Sequence, residues 1–147
     1  MAGETIIKLG TPVTLEASGA SISNNAVVQA DDDTYSVVDD GASYPDAKFV
    51  LSFAFGTAPT ENTTLELYAR PLDISSTNDA EVPEATRPTV RLGNFIVNNV
   101  TSTQYAEEVV QDIPWKFSAY IHNNGTGQTV SAGWTLTVTP CTVGPAA

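Results

Sequence analysis

The chain has 147 residues, enough for one domain with its own core, and 41% of them are hydrophobic while only 16% are charged. Seventeen acidic against six basic residues give a formal net charge of -11, which argues against nucleic acid and anionic membranes as partners, since both recruit Lys and Arg. No run reaches the roughly 18 apolar residues of a membrane-spanning helix.

The opening MAGETIIKLG lacks the basic and apolar regions of a signal peptide, so synthesis in a cytosol is expected. TIIKL and PVTLEA then read as two short strands separated by Gly10 and Thr11. SGASISNNAVVQA reads as a loop followed by a short strand, and YSVV as another. Period-two alternation becomes clean from KFVLSFAF, where Phe49, Leu51, Phe53 and Phe55 share one face. In TTLELYARPL, Leu65 and Leu67 lie opposite Glu66 and Tyr68. Residues 73–88, with two prolines and no apolar period, read as a long surface loop.

In TVRLGNFIVNN the phase of alternation shifts at Gly93 and Asn94, the mark of a β-bulge or bend. QYAEEVVQDI is the one stretch that suits a short helix or turn. The final two strands are the strongest. Trp115, Phe117, Ala119 and Ile121 alternate with Lys116, Ser118, Tyr120 and His122; Val130, Ala132, Trp134, Leu136 and Val138 alternate with Ser, Thr and Gly. NNGTGQ between them supplies Asn and Gly for positive-φ turn positions, and a hairpin pairing of the two strands is expected. CTVGPAA, residues 141–147, is expected to be a frayed tail.

Roughly eight to ten short strands predict a single all-β domain over residues 1–147, an antiparallel β-sandwich of jelly-roll type. Its core is expected to hold Phe49, Leu51, Phe53, Leu65, Leu67, Trp115, Phe117, Ile121, Trp134 and Leu136.

Candidate chemistry is sparse. His122, the single histidine, has the parity of Lys116, Ser118 and Tyr120, which places it off the core face, as a solvated or loop-covered polar residue beside a turn. A nucleophilic triad needs a Ser or Cys on an elbow with an orienting carboxylate, and no GxSxG motif occurs. Cys141 is alone, so neither a disulfide nor a usual zinc ligand set can be assembled. Asp31, Asp32, Asp33, Asp39 and Asp40 cluster near turns, where carboxylates and carbonyls suit calcium, yet their spacing is not that of an EF-hand loop. They read as solvated turn residues. No catalytic residue, metal ligand or cofactor is therefore expected.

The opening ETIIKLGTPVTLEASGASI, with Ile6, Ile7, Leu9, Pro12, Val13 and Leu15, sits in an acidic all-β chain rich in Thr, Ser, Ala and Asn. In these features the chain resembles small structural proteins of tailed-phage virions, and among them the β-sandwich head decoration (cement) proteins. The resemblance implies a virion location, on the outside of an assembled lattice of major capsid protein. It further implies trimers at three-fold positions that stiffen the shell against internal DNA pressure. Two other readings stay open: a tail-tube, tail-terminator or baseplate component, and a carbohydrate-binding module using exposed Tyr35, Tyr44, Tyr68 or Tyr105.

Two contact elements are expected within such an assembly. Residues 1–15, through Ile6, Ile7, Leu9, Val13 and Leu15, would add a strand to a neighbour's open edge. The loop 73–88, through Asp73, Asp79, Glu81 and Glu84, would meet a basic capsid surface.

Overall fold

The computed structural model describes residues 5–145. Within them the strands are β1 (Thr5–Leu9), β2 (Val13–Gly19), β3 (Val27–Gln29), β4 (Tyr35–Ser36), β5 (Asp46–Phe53), β6 (Thr64–Pro71), β7 (Val90–Ile96), β8 (Gln104–Val110), β9 (Lys116–Asn124) and β10 (Trp134–Pro145). One antiparallel sheet has the order β1-β10-β5-β8, with β2 continuing the β1 edge; the other has the order β3-β9-β6-β7, with β4 continuing the β3 edge. With β1–β2 and β3–β4 each taken as one kinked strand, the first strand pairs with the last and the second with the one before it. That is the winding of a jelly roll.

The alternation seen in the sequence drives this packing. Along β5, Ala47, Phe49, Leu51 and Phe53 are buried and their neighbours half-exposed, a pattern that leaves one face to the core. They meet Leu65 and Leu67 of β6, Phe117 and Ile121 of β9, and Trp134, Leu136 and Val138 of β10. Each large apolar side chain so buried contributes about 1.5–3 kcal/mol. The phase shift near Gly93 is a bulge: Leu67 pairs with Gly93 and Tyr68 with Arg91, leaving Leu92 without a rung.

Four expectations are corrected, and one stretch whose state the sequence left open is decided. First, β9 and β10 do not form a hairpin. β9 pairs with β3, β4 and β6, whereas β10 pairs with β1, β2 and β5, so the connection crosses between the sheets. Gly125 and Gly127 do adopt positive φ, but in a link that turns the chain from one layer to the other. Second, QYAEEVV is strand β8, because β5 would otherwise present an unpaired inner edge. Third, residues 141–145 are not frayed; they pair with β1 from Cys141↔Leu9 to Pro145↔Thr5, and of this tail 146–147 lie outside the described residues.

Fourth, Trp115 has core parity but lies before the first rung of β9, following Pro114, where no residue of the facing sheet covers it. It is 82% exposed. Fifth, His122 is buried at 5% exposure although it points away from the core. The outer face of the β9–β6 region is covered by its own tall side chains, including the buried Tyr68, Tyr120 and Glu66. The loop 73–88 folds back beside it, where Arg70 Nε donates to Ala80 O at 2.7 Å.

Candidate functional site

The sandwich has two unlike ends. At one end the connections 37–45, 72–89 and 111–115 gather, and there β1 and the end of β10 leave the sheet together. β5 begins at Asp46, opposite Cys141, so, among the described residues, 142–145 of β10 have β1 on one side and no strand on the other. β1 itself is an edge. The result is a two-stranded ribbon with both edges open.

The ribbon's backbone parity follows from one bond. Gly10 N–H donates to Pro140 O at 2.7 Å, which makes Gly10 and Pro140 a hydrogen-bonded position. In an antiparallel ladder such positions alternate. Lys8↔Thr142 and Ile6↔Gly144 are therefore bonded across the ribbon, and Leu9↔Cys141, Ile7↔Val143 and Thr5↔Pro145 are not. The latter residues turn their backbone groups outward, to the free edges. They also share one side-chain face, which carries Ile7, Leu9 and Val143, exposed by 71%, 62% and 62%. An isolated two-stranded ribbon is marginal in water; this one presents apolar side chains and unpaired backbone together.

At the same end of the sandwich lies a second apolar feature that the sequence pattern had assigned to the core. Trp115 stands between two shallow grooves, one lined by Val37, Val38, Pro45 and Ile113, the other by Pro71, Leu72, Ile74 and Pro114. Val38 and Ile74 are exposed along with it. Exposed apolar side chains grouped in this way mark interaction surfaces more often than scattered ones do.

Charge is distributed to match. From Phe117 to Pro145 there is no Asp, Glu, Lys or Arg, and from Thr5 to Leu15 only Lys8. The ribbon and the β10 strip are thus nearly uncharged in a chain of net charge -11. The other edges carry devices that discourage pairing. β8 presents Glu107 and Glu108, β7 is bulged and carries Arg91, and β3 and β4 are very short.

The remaining expected contact residues divide. Ile6, Ile7 and Leu9 are at the surface of the ribbon, whereas Leu15 is fully buried and Val13 packs on the core, so the side chains of those two are turned into their own sandwich. Asp79, Glu81 and Glu84 are exposed, as a loop contact requires. Glu84 is paired with Arg87 at 2.9 Å, and Asp79 accepts from Asp73 N at 3.0 Å and lies 3.9 Å from Arg70. Asp73 holds Lys116 at 2.6 Å and raises the lysine's pKa above its ordinary value. The loop is a folded structure with two small turns, bridged at Ser75↔Asn78 and Glu84↔Arg87.

The titratable groups away from this end are engaged with one another and with the backbone. Glu66 Oε2 accepts the Tyr68 hydroxyl and lies 3.3 Å from both His122 Nδ1 and Arg91 Nη2, while Asn124 Nδ2 donates to its Oε1 at 2.8 Å. Tyr68 Oη is 2.8 Å from His122 Nδ1. Because the hydroxyl proton goes to the carboxylate, Nδ1 carries the hydrogen and donates to the tyrosine oxygen. His122 Nε2 has no partner among the described residues. Burial, then the bond to Glu66, pushes Tyr68 up to about 12.

The aspartates act mainly as acceptors for backbone amides. Asp40 accepts from Ser36 N at 2.7 Å and Asp32 from Ala17 N at 2.6 Å. The buried Glu16 accepts from Ser18 N and Asp31 N, tying the kinked first strand to the second. Oxygens of Glu16, Asp31 and Asp32 lie within 4.8 Å of one another, close enough to share a cation. Of the tyrosines considered for glycan stacking, Tyr35 and Tyr68 are fully buried, Tyr44 is half-buried and Tyr105 is exposed.

No family model matches the chain, and no curated protein matches it. Among solved structures, one of infectious bursal disease virus (Gx strain) is similar over 93% of this chain and 32% of that chain, with 8% identity and a TM-score of 0.38. The chain spans about a third of the length of that protein, and so slight a likeness carries no argument about function.

Proposed function

We propose that this chain is a non-enzymatic structural protein of a virion, which docks on the outer surface of an assembled capsid and stiffens it. The observation that carries the reading is the apolar end: an open-edged ribbon and an exposed tryptophan, set in an otherwise acidic jelly roll. Soluble monomers seldom keep such a combination uncovered, because the open edge and apolar face both favour association. The partner is a protein lattice, with trimers as the docking unit. The acidic remainder keeps particles apart in solution. Burial of Tyr35 and Tyr68 weakens the glycan-binding alternative, which is left with Tyr105 as its one fully exposed ring from that set.

The test is fractionation followed by imaging. Lysates of cells producing the protein are separated on a density gradient, and particle fractions are examined by electron microscopy. Co-migration with particles, and surface density lost when residues 1–10 are deleted, are expected. A protein found solely in the soluble fraction, or density confined to a tail, would overturn the capsid role.

A further inference from the structure

We infer that three copies of the chain join head to tail through their ribbons, β1 of one copy pairing with the free edge of β10 in the next, to close a six-stranded collar. The inference deepens the assembly reading above and rests on it only for the premise that copies associate.

The argument starts from the two open edges. On the β1 side, Thr5, Ile7 and Leu9 direct their N–H and C=O groups outward; on the β10 side, Val143 directs both and Pro145 its carbonyl. A two-fold pairing of β1 with β1 would satisfy one edge and leave the β10 edge open in both copies. Head-to-tail pairing satisfies both edges in every copy. It also keeps every neighbour antiparallel, since β10 and β1 alternate in direction around the ring. Heterologous contacts of this kind close into rings when the rotation permits. Two copies supply four strands, too few to curve around a filled interior, whereas three supply six; barrel diameter grows with strand number.

Side chains and charge favour the same occupant. Ile7, Leu9 and Val143 share one face, so a register shifted by two residues still sends all three inside the collar. There they lose contact with water. A second copy of a chain with net charge -11 is repelled almost everywhere else on this surface, but the ribbon's one charge is Lys8, which lies on the opposite face and points out of the collar. Closure removes the edges altogether, the most complete protection available to a strand.

The test uses the full chain in solution. Sedimentation should give about three times the 15.5 kDa of one chain. An Ile7→Asp, Val143→Asp double variant should sediment as a monomer while its circular dichroism and core melting transition persist. A second experiment does not depend on that variant folding. In a Cys141→Ser background, protein carrying Ile7→Cys or Leu9→Cys is mixed with protein carrying Val143→Cys and oxidised. Disulfides between unlike chains are expected, with none when either position 7 or 9 is oxidised alone. A monomer at all concentrations, a dimer cross-linked through Ile7→Cys alone, or a trimer untouched by the Asp substitutions would each overturn the collar. A monomer that still binds particles would leave the docking function standing and remove the collar alone.

Discussion

Replacing each tryptophan by alanine applies one chemical change to two opposite environments. Trp134 is 1% exposed; its ring packs directly against Gly19 and its Nε1–H donates to Ala20 O at 2.7 Å. Truncating a ring of this kind costs about 3–5 kcal/mol, because the transfer energy and the cavity both count. In a chain of this size about 1 kcal/mol moves the melting midpoint by roughly 3–4 °C. Trp134→Ala should therefore lower it by about 9–20 °C. Trp115 presents 82% of its surface to water, so Trp115→Ala should stay within about 0.5 kcal/mol, or roughly 2 °C. Far-UV circular dichroism against temperature, at concentrations where the chain is monomeric, reads both without relying on tryptophan emission. Should Trp115→Ala cost half as much as Trp134→Ala, the placement of Trp115 outside the core would be wrong.

Three other expectations test the rest of the molecule. Tyr68→Phe leaves His122 and Glu66 buried without their shared hydroxyl and should destabilise by about 1–3 kcal/mol, with His122→Ala similar; urea midpoints shifted by less than a few tenths of a molar would contradict the network. Burial pushes Tyr35 and Tyr68 from 10.0 up to about 12, so between those values the folded chain binds more protons than the unfolded one. Stability is then full below about pH 10 and falls as pH rises towards 12, and Tyr35→Phe should flatten that fall without weakening the fold at pH 7, since its hydroxyl has no partner among the described residues. Burial, with Asp46 adding to it, also raises the Cys141 thiol, so labelling by a thiol reagent at pH 7 should be slow in the native protein and fast in urea; equal rates would show that β10 is open at that point.

The alternating stretches were legible without a structure because the period of a strand is a local property. KFVLSF, TLEL and the residues from Phe117 to Ile121 each show which face meets the core, and the phase slip near Gly93 shows the bulge. The jelly roll follows in outline from many such strands with no helix between them. Strand partners do not follow. Both β9 and β10 carry an apolar face, and a Gly-rich link serves a hairpin and a crossing between layers equally well; what decides is that each sheet needs a central strand. QYAEEVV satisfies either period, and its state is decided by the edge that β5 offers.

The same limit governs the candidate site. Parity alone places Trp115 inside and His122 outside, because alternation reports direction and says nothing about what covers a side chain. Trp115 lies one residue beyond the ladder, where the opposing sheet has ended. His122 lies on an outer face that Tyr68, Tyr120 and Glu66 close over. The apolar run Ile6, Ile7, Leu9 was visible as a sticky opening segment, but its open edges were not. They exist because β10 outruns β5 by four residues, from Thr142 to Pro145, and only the pairing of distant segments brings that ribbon into being.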